Sequence, residues 1–164
     1  LIWLGYEDGD LEYAEPQALR GKLARLIKIH RPDVVFSPDP GSKYEAWHKT
    51  DHRMSAFITK DAFIGAEWHL YYPQHLLDEK LQPYQVPLAY YYYSQEPNYE
   101  VDITDVIETK VDAAAAHVSQ FEPSLNKYNP DMPDLVKAEI GKGFKAMLKD
   151  GDKFVERFRR EEAP

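Results

Sequence analysis

Two histidines and an aspartate occur within five consecutive positions in the segment WHKTDHR, residues 47–53. Because the sequence contains no cysteine, any metal ion must be held by His, Asp or Glu side chains. If a helix begins near Thr50 or Asp51, the positive helix N-terminus keeps His52 neutral, the form that binds a metal. Asp51 could then accept the other ring proton of a nearby histidine. The alternative is a solvated helix start, with Asp51 as its cap and two surface histidines.

A catalytic zinc site needs more ligands than this segment offers. Such sites usually take about three protein ligands and leave one position for water. Only His52, with His48 four positions earlier, is supplied locally, so further ligands must come from elsewhere. The remaining histidines are expected to be ordinary surface or interior residues: His30, His69, His75 and His117.

Length and composition predict one domain and exclude several classes of partner. A chain of 164 residues with 43% apolar residues is long enough for a single hydrophobic core. The formal charge of −8 and the lack of a basic stripe exclude nucleic acid as a partner. No apolar run approaches the roughly 18 residues that span a bilayer, and no signal-like segment opens the chain. A cytoplasmic protein is the default expectation.

The first third of the sequence alternates between strand and helix patterns. Leu1–Leu4 is a short apolar run ended by Gly5, which predicts a buried strand followed by the turn-rich loop GYEDGD. Apolar residues then recur at helical spacing from Glu15-Pro16 to Arg31-Pro32. The run DVVFSP predicts the next strand, and a second helix is expected from Thr50 or Asp51 onwards.

The remainder continues this alternation. VPLAYYYYS predicts a tyrosine-rich strand, and a further helix is expected after VDIT, with Thr104 or Asp105 as cap and Glu108 completing a capping box. A final amphipathic helix is expected to end at Gly151, with Asp152 capping another helix. Alternating strands and helices indicate a largely parallel α/β sheet, whose sites collect at the carboxyl ends of the strands.

Five segments form an ordered series from about Leu1 to Gln120. They are LGYEDGDL, RPDVVFSPDP, HKTDHR, YYYYSQEPNYEVDIT and the group Lys110, His117, Ser119 and Gln120. This series resembles the PIG-L/LmbE-like family of zinc-dependent N-acetylglucosaminyl deacetylases. The resemblance implies a Rossmann-like fold with a mostly parallel sheet flanked by helices. It also implies a bound Zn²⁺ ion and hydrolysis of the acetamide of an N-acetylglucosamine-type sugar or glycoconjugate.

The resemblance assigns roles to three residues of the quoted segment. It implies that His52 is a zinc ligand and that Asp51 is the catalytic-site aspartate beside it. It implies that His48 polarises the carbonyl and handles the proton at the leaving amine. The family typically has His-Pro-Asp-His, whereas this sequence has His48-Lys49-Thr50-Asp51-His52, which is one residue longer.

Substrate-binding candidates lie near these residues. The resemblance places the first loop near the pocket, so Tyr6 and Asp8 are candidates to hydrogen-bond sugar hydroxyls. The alternative is a turn that uses Asp and Gly for backbone reasons. Arg53 is a third candidate, which could pair with Asp39 or a neighbouring carboxylate and hold the loop, or could be an ordinary helix arginine. The tyrosines at 90–93 could stack on a sugar, but core or subunit-interface positions are favoured.

One family motif is absent from the sequence. The Ala-His-Pro-Asp-Asp-Glu motif, which in the family supplies two zinc ligands and the general base, does not occur. The resemblance places it before Leu1, so residues 1–164 are interpreted as a single α/β domain that lacks the first strand–helix units. This chain alone is therefore expected to be inactive.

Three hypotheses follow for the function. The first is a metal-dependent hydrolase that deacetylates an N-acetylated amino sugar, and family analogy adds a homo-oligomer, trimer or hexamer. The second is a non-catalytic α/β carbohydrate-binding or assembly subunit that retains the scaffold. A nucleotide-binding domain is disfavoured, since no Gly-x-Gly-x-x-Gly or Walker-type loop is present.

Overall fold

A computed structural model describes residues 1–41, 49–117, 120 and 132–163. They form two compact units, one comprising Leu1–Tyr99 and Arg157–Pro164 and the other Glu100–Glu156. The interpretation of the chain as a single α/β domain stays a prediction. Within the described ranges, no helix combines the length and the apolar character needed to cross a membrane.

Helix α1, Pro16–His30, begins and ends where the sequence predicts. The carboxylate of Glu15 accepts hydrogen bonds from the backbone N–H groups of Gln17 and Ala18, at 3.0 and 2.5 Å, and therefore caps the helix. At the other end Arg31 adopts a left-handed conformation, φ 47°, and its N–H donates to the carbonyl of Ile27 at 2.8 Å. Local signals at both ends fix this helix.

Helix α2, Thr50–Glu67, packs against α1 around one aromatic ring. Tyr72 lies between Gly21 of α1 and Gly65 of α2, where a Cβ atom would come within 2.8 and 2.9 Å of its ring. The Tyr72 hydroxyl accepts from Nε of Arg20 at 2.8 Å and donates to the carbonyl of Gln17 at 2.9 Å. The buried members of this core are Ala24, Ile27, Ala62, Ala66, Tyr72 and Val86. A short helix, α3, spans Pro73–Leu77 and begins beside this ring.

The sheet combines parallel and antiparallel pairs. Strand β1, Val34–Pro38, pairs in parallel with β2, Leu88–Tyr92, and β2 pairs antiparallel with β5, Lys153–Glu162. Strand β3, Tyr99–Asp102, lies on the other side of β5, and β4, Lys149–Asp150, pairs antiparallel with β5. The predicted α/β class with a sheet flanked by helices is confirmed, and the parallel arrangement is seen between β1 and β2.

The tyrosines at 90–93 differ in how far their side chains are exposed. Tyr91 is fully buried, whereas Tyr93 is 67% exposed. On the face opposite α1 and α2, an aromatic cluster links β1, β2, β5 and β3. Its members are Phe36, Tyr90, Phe158 and Tyr99, with ring centroids 5.3–5.8 Å apart.

Two predictions of secondary structure were wrong. Leu1–Leu4 was predicted to be a buried strand, but it forms no strand and Leu1 and Trp3 are largely exposed. No strand in the described part of the chain lies beside it to accept its backbone hydrogen bonds. The segment after Asp152 was predicted to be helical but forms β5, because β2 and β3 offer it backbone partners on both sides.

In the second unit, α4, Ile107–Ala115, packs against α5, Met132–Leu148. The buried contact residues are Val111, Ala115, Val136 and Ile140. The predicted capping box is wrong, since the Thr104 hydroxyl accepts from the backbone N–H of Phe154 at 3.0 Å and Glu108 pairs with Lys145. A 3₁₀ turn, Thr104–Val106, precedes α4 instead of a side-chain cap.

Candidate functional site

The loop at residues 5–11 is attached to the first turn of α2 by Asp51. One carboxylate oxygen of Asp51 accepts a hydrogen bond from the N–H of Gly9 at 2.7 Å, and the other accepts from the N–H of Leu11 at 3.2 Å. Gly9 has φ 89°, a left-handed conformation that glycine adopts without steric cost. Asp51 is not the helix cap, because the cap position is Lys49 and carries no side-chain bond.

A cavity of about 460 Å³ opens between this loop, α1 and α2. Three of the candidate residues named in the sequence analysis, Tyr6, Asp8 and Asp51, line this same cavity. Apolar side chains form most of the rest: Trp3, Leu4, Leu11, Leu19, Leu23 and Ile58. The volume lies within the range of roughly 300–1,000 Å³ that is typical of small-molecule sites.

Lys22 of α1 holds the side chain of Tyr6. Its ammonium donates a hydrogen bond to the Tyr6 hydroxyl at 3.0 Å and lies 4.6 Å from the ring centroid. Tyr6 is half-buried, whereas Asp8 is exposed at the loop tip. The cavity therefore offers an aromatic ring that a lysine holds in place, an exposed carboxylate and several apolar side chains. This lining suits a ligand ring that has polar substituents and apolar C–H faces.

The two residues after Asp51 are not among the α2 residues that line the cavity. His52 is half-buried, its Nδ1 is shielded from solvent, and its carbonyl accepts a hydrogen bond from the Ser55 hydroxyl at 3.0 Å. Arg53 is also half-buried. The α2 residues that line the cavity are Asp51, Ser55, Ile58 and Thr59. His48 lies outside the described residues.

Sequence reasoning missed a polar network at the carboxyl end of β1. Arg159 of β5 donates three hydrogen bonds of 2.7–3.1 Å to Asp39, and a fourth, of 3.0 Å, to Glu161. Glu161 also pairs with Lys60 of α2. The guanidinium that holds Asp39 is thus that of Arg159, whereas the sequence suggested Arg53.

Electrostatics in this network favour a charged Asp39. Burial is the largest single influence and opposes ionisation of Asp39, but the hydrogen bonds from Arg159, Ser94 and the Gly41 N–H, together with the charge of Arg159, keep the pKa of the carboxyl below its ordinary value. Burial raises the pKa of Tyr91, whose ring lies 4.3 Å from the Arg159 guanidinium carbon, to about 12. The Asp–Pro sequence directly after β1 was the available signal for Asp39. Arg159 gave none, because its segment was assigned to a helix.

Comparison with known proteins shows which family this chain is related to. Residues 1–63 match the model of the family described as PIG-L, GlcNAc-PI de-N-acetylase. Over 113 residues, 69% of this chain, the sequence is 34% identical to diacetylchitobiose deacetylase from Thermococcus kodakarensis. The chain belongs to the PIG-L/LmbE-like deacetylase family.

Solved structures of similar proteins extend the likeness to nearly the whole PIG-L/LmbE-like chain. N,N'-diacetylchitobiose deacetylase from Pyrococcus horikoshii, solved with its inhibitor, is 30% identical and covers 98% of the chain with a TM-score of 0.75. The conserved protein TT1542 from Thermus thermophilus, 24% identical, covers 94% with a TM-score of 0.57 and shares the fold.

The chain is shorter than these relatives. It spans 41% of the Thermococcus enzyme, 56% of the Pyrococcus chain and 62% of TT1542.

The described residues of the PIG-L/LmbE-like chain do not form a complete metal site. Residues 1–41, 49–117, 120 and 132–163 contain no group of three or more His, Asp or Glu side chains that could hold a metal ion. His52 offers one half-buried imidazole of the type that zinc binds. Of the other histidines, His75 is buried and stacks on Tyr72 at 5.2 Å, while His30, His69 and His117 are exposed.

Proposed function

We propose that the chain is part of an N-deacetylase that removes the acetyl group from an N-acetylglucosamine-type sugar. The observation that carries the proposal is the 34% identity to a diacetylchitobiose deacetylase, in a chain whose loop and α2 enclose a cavity of suitable size. Tyr6, Asp8 and Asp51 line this cavity, and the family resemblance assigned them to substrate binding and to the catalytic site.

In this proposal the cavity binds and orients the sugar. The apolar side chains of Leu19, Leu23 and Ile58 pack against the C–H face of a pyranose ring and exclude water. The Asp8 carboxylate accepts hydrogen bonds from ring hydroxyls, and Tyr6 supplies a fixed ring at the wall. Holding the amide in the reactive geometry contributes a large part of the rate enhancement, because the reaction then no longer depends on a random collision with the catalytic groups.

The metal dependence is part of the proposal and rests on the resemblance. A bound zinc ion would lower the pKa of its water ligand and polarise the amide carbonyl. His52 is the described residue that would hold it, and the described residues contain no group of three or more His, Asp or Glu side chains that could complete the site. Two residue roles stay predictions: His48 would handle the proton at the leaving amine, and Arg53 would contact the substrate. A cytoplasmic location and assembly into a trimer or hexamer also stay predictions.

The test uses protein expressed from its complete reading frame. Zinc content is measured by elemental analysis, and acetate release is measured with N-acetylglucosamine compounds, for wild type, His52→Ala and His69→Ala. His69 is an exposed histidine just beyond α2 and provides the matched control. We expect zinc and acetate release in wild type and His69→Ala, and loss of both in His52→Ala.

Two results would contradict this proposal. Retention of metal and activity in His52→Ala would remove His52 from the site. Sugar binding by the wild type without acetate release would favour the non-catalytic carbohydrate-binding hypothesis.

A further inference from the structure

We infer that Asp51 serves the proposed reaction as a positioning residue, which fixes the loop at residues 5–11 as one wall of the sugar cavity. The inference rests on the proposed function for the identity of the ligand. The attachment of the loop by Asp51 is a property of the fold that can be measured without any substrate.

The contacts of Asp51 show what its carboxylate holds. Both oxygens accept hydrogen bonds from backbone N–H groups, one from Gly9 at 2.7 Å and the other from Leu11 at 3.2 Å. The two donors lie 42 and 40 positions before Asp51 in the sequence. Leu11 is the first residue of the 3₁₀ turn Leu11–Tyr13, where a backbone N–H has no partner within its own turn. A carboxylate makes stronger bonds to such donors than a neutral side chain does.

The loop has few other attachments of its own backbone. Residues 5–10 belong to no helix or strand, and their described backbone bond within the loop is from the N–H of Asp10 to the carbonyl of Glu7, at 3.2 Å. Lys22 holds the Tyr6 side chain near the start of the loop. Asp51 therefore supplies the two bonds that attach the second half of the loop to α2.

The position of this loop determines the shape of the cavity. Residues 5–8 and Leu11 line one side, while α1 and α2 line the other, and those two helices are fixed to each other by the Tyr72 core. If the second half of the loop leaves α2, Asp8 moves with it and the cavity widens. Substrate binding should then weaken, while chemistry at residues held by α2 continues.

The first test is Asp51→Asn, measured by hydrogen exchange of individual amides. An asparagine keeps one acceptor oxygen but turns an NH₂ donor towards a backbone donor, so at least one of the two loop bonds is lost. We expect exchange at Gly9 and Leu11 to accelerate at least about tenfold, the factor that about 1.4 kcal/mol represents. Exchange at Ala24, in the α1 core, should stay unchanged. Unchanged exchange at Gly9 and Leu11 would overturn the inference, whatever the activity of the protein.

Kinetics of the full-length protein then distinguish positioning of the loop from action through the neighbouring histidine. We expect Asp51→Asn to raise KM for an N-acetylglucosamine substrate about tenfold, with kcat and zinc content within about twofold of wild type. A fall in kcat and zinc content with unchanged KM would show that Asp51 acts on His52 and would overturn the inference.

Gly9→Ala perturbs the same loop with Asp51 intact. A Cβ at Gly9 meets no atom within 4 Å, so the substitution acts only through the strain of an alanine at φ 89°. It should raise KM in the same way, and it keeps the inference testable if Asp51→Asn fails to fold. In the double variant the two effects on KM should be less than additive, because both release the same loop. Fully additive effects, or an unchanged KM in Gly9→Ala, would contradict the inference.

Discussion

Substituting Asp39 with asparagine should destabilise the first unit. The Asp39 side chain is 8% exposed and that of Arg159 is 23% exposed, and three hydrogen bonds join them. Removing one partner of a buried ion pair costs roughly 3–5 kcal/mol. Because Arg159 retains its bond to Glu161, we expect Asp39→Asn to reduce the free energy of unfolding by about 2–3 kcal/mol at pH 7.

The pH dependence of this loss follows from the direction of the pKa shift. The folded-state pKa of Asp39 lies below its ordinary value of 3.8, so the ionised carboxylate favours the folded state. That contribution is present above about pH 4 and is lost as the pH falls through the folded-state pKa. The difference between wild type and Asp39→Asn should therefore be constant from neutral pH down to about pH 5 and shrink below about pH 4.

Hydrogen exchange of the core amides of Ala24 and Ala62 measures the free energy of opening of this unit. Asp61→Asn is the matched control, since Asp61 lies 3.7 Å from Arg20 and is half-exposed, and its loss should cost under about 1 kcal/mol. If Asp39→Asn costs no more than Asp61→Asn, or if its cost does not change at low pH, the Asp39–Arg159 pair does not stabilise the unit as argued.

Three further substitutions test the packing of the core and the electrostatics of a turn. In urea unfolding, Gly65→Ala should lower the free energy of unfolding by about 1–3 kcal/mol, because its Cβ would lie 2.9 Å from the Tyr72 ring. Gly143→Ala in α5, where a Cβ meets no atom within 4 Å, should instead raise the free energy of unfolding by up to about 1 kcal/mol. Equal effects would show that helix propensity alone decides. Thr104→Val should raise the pKa of Asp102 from about 2 in an NMR titration, since the hydrogen bond from the Thr104 hydroxyl is the largest cause of the low value; the bonds from Lys153 and from the backbone N–H at 104 remain. An unchanged titration would show that Lys153 and the backbone N–H at 104 keep the pKa low without the hydroxyl.

The sequence predicts those elements whose signals are local. Glu15-Pro16 and Arg31-Pro32 mark both ends of α1, and the apolar run at 34–36, with two β-branched valines, marks β1. Helix α2 likewise begins at Thr50, as the sequence predicts. Each of these signals lies within a few residues of the feature that it specifies, so no knowledge of distant contacts is needed.

Features that depend on distant partners were not predictable. Gly and Asp, the residues at 151 and 152, are typical both of a helix boundary and of a β-turn. The following segment is a strand because it pairs with β2, β3 and β4, and two of these partners are distant in the sequence. In the site, Tyr6, Asp8 and Asp51 could be placed at one cavity from the family resemblance. The amides that Asp51 binds belong to a loop some forty positions earlier, and no periodicity records that contact.

The place of β5 in the sheet has a consequence for biosynthesis. This strand is the last of those that the structure describes, yet it lies between β2 and β3, and Leu88 is paired with Glu162. Pairings between such distant residues slow folding, because a long loop must close before they form. On the ribosome, β1 and β2 would wait with an unsatisfied edge until residues 153–162 emerge, a period in which a chaperone or a neighbouring nascent chain could occupy that edge.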